Sequence, residues 1–252
     1  MKRVAIVVGA SSGIGEALVK QLSLKKDIDC IYALARRMEK LQALREECGD
    51  KVVPVRCDIT KQSALDCLQS EDTLVYAVYS AGVGYHGSAA EIAIEKQASL
   101  IDLNCNAMVR FCVEAANRME RGGKVVVIAS AAAFMPQPYF AAYAASKAFT
   151  LSFCRSFHKE LSAREISVTA VCPGPVDTEF FSISEPTGTV SEKKKKYLIS
   201  PIVVAQKALR AADKGKSVIT PSRSMRMARI AAKLLPHGAL MGIYQEDHYE
   251  EN

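Results

Sequence analysis

VAIVVGASSGIGEALVKQL, residues 4–22, runs from a β-branched apolar stretch through a glycine-rich turn into a segment of helical period. The run VAIVV (4–8) does not alternate polar with apolar residues, as expected of a strand buried on both faces of a parallel sheet. In GASSGIG (9–15) the glycines have separate jobs. Gly9 turns the chain, Gly13 lets the backbone approach a ligand, and Gly15 allows close packing of helix on strand. The helix that follows, beginning at Ile14, offers unpaired N–H groups and a positive dipole end to a phosphate, and Ser11 and Ser12 add hydroxyl donors. A glycine-rich turn in a fold that binds nothing is the alternative. Its position at the first strand-to-helix junction favours a nucleotide site.

The same alternation continues along the chain. Strands are expected at 4–8, 30–34, 52–55, 74–79, 124–129, 166–171 and 217–220, and helices near 14–24, 38–48, 61–69, 92–119 with a break, 143–163 and 201–213. Non-alternating strands separated by helices imply a doubly wound parallel α/β sheet of the Rossmann type. With no repeat, linker or shift in composition, residues 1–252 read as a single dinucleotide-binding domain. Residues 182–200 read as a substrate loop or lid, and 222–252 as a C-terminal amphipathic helical tail.

Composition removes several function classes. A formal net charge of +6 with scattered cations does not suggest nucleic-acid binding. The eight cysteines form no CxxC pair and the four histidines are not grouped with them, so no metal site is expected and the thiols read as reduced, small core residues. No stretch approaches a membrane span and the start does not read as a signal peptide, which leads to an expectation of a cytoplasmic protein.

Two further patterns carry chemistry. Tyr143 and Lys147 in YAASK stand one above the other on a helix, so a cation beside the phenol would lower a pKa otherwise near 10 and yield a proton donor and acceptor. Packing alone is the plainer reading of YxxxK. About 20 residues beyond the glycine loop, where an acid would hold a ribose 2′-hydroxyl, the chain has Arg36 and Arg37 instead. Two guanidiniums suit a 2′-phosphate and so favour NADP(H) over NAD(H), with Arg36 the better ligand because it is nearer the strand end.

Taken in order, GASSGIG, SAG (80–82), LNCNA (103–107), Ser130, YAASK and PGPVDT (173–178) resemble the short-chain dehydrogenase/reductase family from residue 3 to about 180. Ser130 and Tyr143 stand 13 positions apart, the family's usual spacing. The resemblance implies Tyr143 as general acid/base, Lys147 as the group that lowers its pKa and holds the nicotinamide ribose, Ser130 on the substrate oxygen, and Asn104 anchoring a water in the proton relay. It implies that Asp58, with Ile59 beside it, borders the adenine. It further implies that Ser80, Ala81 and Gly82 line the cofactor, and that Pro173, Gly174, Val176 and Thr178 border the nicotinamide. Val8 and Ser80 depart from the family's usual Thr and Asn.

The function expected is an NADPH-dependent oxidoreductase interconverting a carbonyl and a secondary alcohol on a largely apolar substrate. Gly84, Tyr85, His86, Ala132, Phe134, Met135, Tyr139 and Phe140 flank the expected cleft. A catalytically silent dinucleotide-sensing regulator is the alternative. A homo-oligomer is expected, with a dimer favoured over a tetramer. In the tail, Arg223, Arg226, Arg229 and Lys233 interleave with Met227, Ile230, Ala231 and Leu234. For that helix, cover of its own domain ranks first, a second subunit second and an anionic membrane third.

Overall fold

Val4, Ile6 and Val8 pack into one apolar layer while Ala5 and Val7 pack into another, so the first strand is covered on both faces. It belongs to a computed structural model that describes residues 1–184 and 197–236 together with Gly238 and Met241. The strands are β1 (Lys2–Val8), β2 (Cys30–Ala35), β3 (Val52–Arg56), β4 (Asp72–Tyr79), β5 (Lys124–Ile128), β6 (Ser167–Val171) and β7 (Val218–Ile219). They form one seven-stranded sheet in the order β3-β2-β1-β4-β5-β6-β7, and every pairing is parallel. Pro54 is tolerated in β3 because that strand is an edge.

Helices cover both faces. Leu18 and Leu22 of α1 (Gly13–Ser23), Leu41 and Leu44 of α2 (Met38–Cys48), and Val204 and Ala208 of the helix Pro201–Asp213 fill one layer. The other holds Met108 and Phe111 of Ala107–Arg118 and Leu151 and Cys154 of Ala141–Glu160. In chain order the helices after α2 are α3 (Ile94–Ile101), α4 (Ala107–Arg118), α5 (Ala141–Glu160), α6 (Phe180–Ser184), α7 (Pro201–Asp213) and α8 (Arg223–Leu234). The strand order reverses between β1 and β4, and the crevice beyond their carboxyl ends is where such sheets take ligands.

Three expectations change in detail. The helix expected at 61–69 is a single 3-10 turn, Ala64–Cys67, capped by Ser63, whose Oγ accepts from the Leu65 N–H. The break expected within 92–119 is a π turn, Asp102–Asn106, that joins α3 to α4 without interrupting the helical path. The helix expected at 143–163 begins at Ala141 and closes with a 3-10 turn, Leu161–Arg164. The loop expected at 182–200 overlaps the end of α6, while 185–196, including the lysine run 193–196, lies outside the described residues, as does most of the tail after Pro236.

The tail helix is only partly what its pattern suggested. Ser222 caps α8 by accepting from the Met225 N–H. Ala232 is buried and Met225, Ala228 and Ala231 are half-buried, so the helix does cover its own domain along this side. Its larger apolar residues face outward: Met227, Ile230 and Leu234 are 67%, 51% and 77% exposed.

Candidate active site

The glycine loop is held by backbone bonds that require no particular side chain. Gly9 and Ala10 donate to the Leu34 carbonyl at 2.9 and 3.1 Å, and Ser80 donates to the Val8 carbonyl at 2.9 Å. These bonds fasten the ends of β1, β2 and β4 together despite the departures at Val8 and Ser80. Gly9 has φ +80°, and a Cβ there would lie 2.6 Å from the Ala81 nitrogen. Any side chain would therefore push the loops at 9–15 and 80–82 apart. Ser12, at the N-terminus of α1, makes no side-chain cap, which leaves the first N–H groups of the helix open toward the cleft.

Arg36 and Arg37 differ in their commitments. Arg37 donates from Nη2 to Ser12 Oγ at 2.9 Å and to Ser11 Oγ at 3.0 Å, and from Nη1 to Glu179 Oε2 at 2.8 Å. Lys40 pairs with the same carboxylate, and the two cations draw Glu179 down to about 2. Arg36 is exposed, lines the cleft and makes no hydrogen bond or ion pair among the described residues. Asp58 Oδ1 accepts from the Thr60 N–H and from Thr60 Oγ1 at 2.7 Å, bonds that pull its carboxyl below the usual range.

The four residues expected to form the proton relay come together at the end of β5 and on one side of α5. Tyr143 is buried in the first turn of α5 on the cavity wall, which Ser130, just past β5, also lines. One turn on, the Lys147 Nζ lies 5.6 Å from the Tyr143 ring centre and donates to the Ile128 carbonyl at 2.9 Å. Asn104 sits behind the cleft in the π turn. Its Oδ1 accepts from the Val83 N–H at 3.0 Å, and its Nδ2 donates to the Val83 carbonyl at 2.9 Å and to Ser146 Oγ at 3.0 Å. Tyr79, at the end of β4, donates to the Leu103 carbonyl at 2.6 Å and so fixes the π turn to the sheet.

One electrostatic expectation is corrected. Burial pushes the Tyr143 hydroxyl up to about 12, against the opposing influence of Ser130, instead of the cation drawing it down. Burial also lowers Lys147 to about 8, because a charge without solvent is costly whichever group carries it.

These residues line a cavity of about 1040 Å³. Every residue expected to touch the cofactor borders it except Gly15, where a Cβ would lie 2.1 Å from the Gly9 carbonyl oxygen and break the packing of α1 on the loop. Of the flanking residues named from sequence, Gly84 and Tyr139 stand back from the surface. Gly84 still matters, since a Cβ there would meet the Phe140 and Tyr143 rings at 2.8 and 2.9 Å. Tyr143 stacks on Phe140 at 4.3 Å and meets Phe180 at 5.4 Å. Phe180, Phe181, Glu179 and the inner residues of α8 were not named from sequence, although the aromatic pair directly follows PGPVDTE.

The family model for short chain dehydrogenase matches residues 3–187. This chain is a member of the short-chain dehydrogenase/reductase family. It is an oxidoreductase whose Rossmann-type fold accommodates a nicotinamide dinucleotide, and the residues in its cleft suit one. Among its short-chain dehydrogenase/reductase relatives, carbonyl reductase family member 4 of Xenopus laevis is 30% identical over 72% of this chain and 79% of its own. The cyclic-di-GMP-binding biofilm dispersal mediator protein of Escherichia coli strain K12 is 29% identical over 70% and 74%. A short-chain dehydrogenase from Sphingobium yanoikuyae, solved in complex with NADPH, superposes with a TM-score of 0.76, 25% identity, and coverage of 97% of this chain and 96% of that one.

Proposed function

We propose that this chain is a cytoplasmic NADPH-dependent oxidoreductase that interconverts a carbonyl and a secondary alcohol on a largely apolar substrate, with Tyr143 as general acid/base. The observation that carries the reading is the buried Tyr143, which shares the cleft wall with Ser130 and stands one helical turn from Lys147. Arg36 would meet the 2′-phosphate, because its guanidinium is uncommitted where that of Arg37 is engaged. The open N-terminus of α1, with Ser11, Ser12, Gly13 and Ile14, would take the pyrophosphate. Asp58 and Ile59 would border the adenine, and Pro173, Gly174, Val176 and Thr178 the nicotinamide side. When bound, NADPH supplies the hydride.

The chain's own work is then to hold oxygen and move a proton. Ser130 Oγ donates to the carbonyl oxygen of the substrate, and Tyr143 gives that oxygen its proton as alkoxide charge develops. A phenol that keeps its proton to about 12 is fully protonated at neutral pH, the form that reduction requires. In the reverse direction it must first ionise, so alcohol oxidation should gain with rising pH. Lys147 would hold the nicotinamide ribose beside the phenol, and Asn104 keeps Val83 and Ser146 in register behind the pair. The aromatic walls Phe140 and Phe180 favour an apolar substrate.

A catalytically silent, dinucleotide-sensing regulator is the second reading, favoured by the likeness to the Escherichia coli biofilm dispersal mediator protein. Oxidation of NADPH with a panel of aromatic, long-chain and polycyclic ketones separates the two. Multiple turnover on any of them supports the reductase, whereas tight NADPH binding without turnover on the whole panel supports the sensor.

A further inference from the structure

Helix α8 reverses the usual sidedness of a surface helix. Its inward side is narrow and made largely of alanine, while Met227, Ile230 and Leu234, at spacings of three and four, form a stripe on the outside. Arg223, Arg226 and Lys233 are exposed beside that stripe, and none of them makes a salt bridge among the described residues. The sequence has no acidic residue between Asp213 and Glu246. The helix therefore presents apolar side chains and uncompensated cations to the same side, and water suits only the second. A second copy would cover the stripe but would press these cations against their own counterparts with no carboxylate on either face. A partner that is apolar in depth and anionic at its surface satisfies both.

We infer that the outward face of α8 seats on the surface of an anionic lipid bilayer. Met227, Ile230 and Leu234 enter the boundary between headgroups and acyl chains, and the stems of Arg226 and Lys233 lie along it with their charges among the lipid phosphates. The helix rests on the membrane and does not cross it, since no helix among the described residues is long and apolar enough to span one. The inner side of the same helix, through Met225, Ala228 and Ala231, forms part of the cavity wall, so docking brings that wall against the lipid. This inference concerns lipid binding and stands whether or not the proposed reaction is the right one.

The test is co-sedimentation of the full chain with vesicles of phosphatidylcholine alone and with vesicles in which a third of the lipid is phosphatidylglycerol. The inference expects binding to the second kind only, weakened by added salt. Met227→Ser, Ile230→Ser and Leu234→Ser together should abolish it, and Arg226→Gln with Lys233→Gln should weaken it about 30-fold. Both variants should keep the parent's melting temperature. Should the serine variant fail to fold, the charge variant decides alone. Absence of binding to anionic vesicles, equal binding to both kinds, or a dimer in sedimentation velocity that the serine substitutions split into monomers would overturn it.

Discussion

Lys147 and Ile128 are joined by a 2.9 Å hydrogen bond from the lysine Nζ to the strand carbonyl, deep enough that burial lowers the ammonium to about 8. The bond ties α5 to the end of β5 and holds the cation beside Tyr143. It also makes the charge a burden on the fold. A lysine whose folded pKa lies below its unfolded value is fully penalised at lower pH and relieved as pH rises. From about 8 to 10.5 the unfolded chain keeps a proton that the folded chain has released.

Replacing Lys147 with Met should remove that dependence. The difference in unfolding free energy, parent minus variant, should grow in the parent's favour between pH 8 and 10.5, at up to about 1.4 kcal/mol per unit. Urea unfolding of both proteins at several pH values reads it directly. A difference independent of pH would mean that the ammonium is solvated.

The two arginines should separate in cofactor titrations. Arg36→Ala should weaken NADPH by about 10- to 100-fold and leave NADH nearly unchanged, as expected for loss of charge-assisted bonds to one phosphate. Arg37→Ala should weaken both, because Arg37 fixes Ser11, Ser12 and Glu179. The opposite pattern would exchange their roles.

Asn104→Ala should cost about 3 kcal/mol of stability, since it leaves both backbone groups of Val83 and the Ser146 hydroxyl without their partner. Chemical denaturation measures this. A loss below about 0.5 kcal/mol would show that water replaces the amide readily.

The sheet was legible because its strands are continuous β-branched runs, and β1 through β6 stand within two residues of where those runs predict them. The glycine loop was legible because a tight strand-to-helix turn with positive φ calls for glycine. What stayed hidden depends on contacts distant in sequence. Nothing near Glu179 shows that it bridges Arg37 and Lys40, which lie some 140 residues earlier. The tail pattern shows an amphipathic helix but not its orientation, because alanine on one side and Met, Ile and Leu on the other are all apolar. Tyr143 misled for a related reason. The i, i+4 spacing shows the lysine, while Phe180, which closes on the phenol opposite the neighbouring Phe140, comes from a distant part of the chain.

The central claim is that Tyr143 carries the proton. Tyr143→Phe keeps the ring that stacks on Phe140 and removes only the hydroxyl. Steady-state NADPH oxidation with a ketone that the parent reduces, measured beside NADPH affinity, tests the claim most directly. The account predicts affinity within about two-fold of the parent and turnover reduced by at least about 100-fold, the scale of general acid catalysis. Turnover equal to the parent's at unchanged affinity would contradict it.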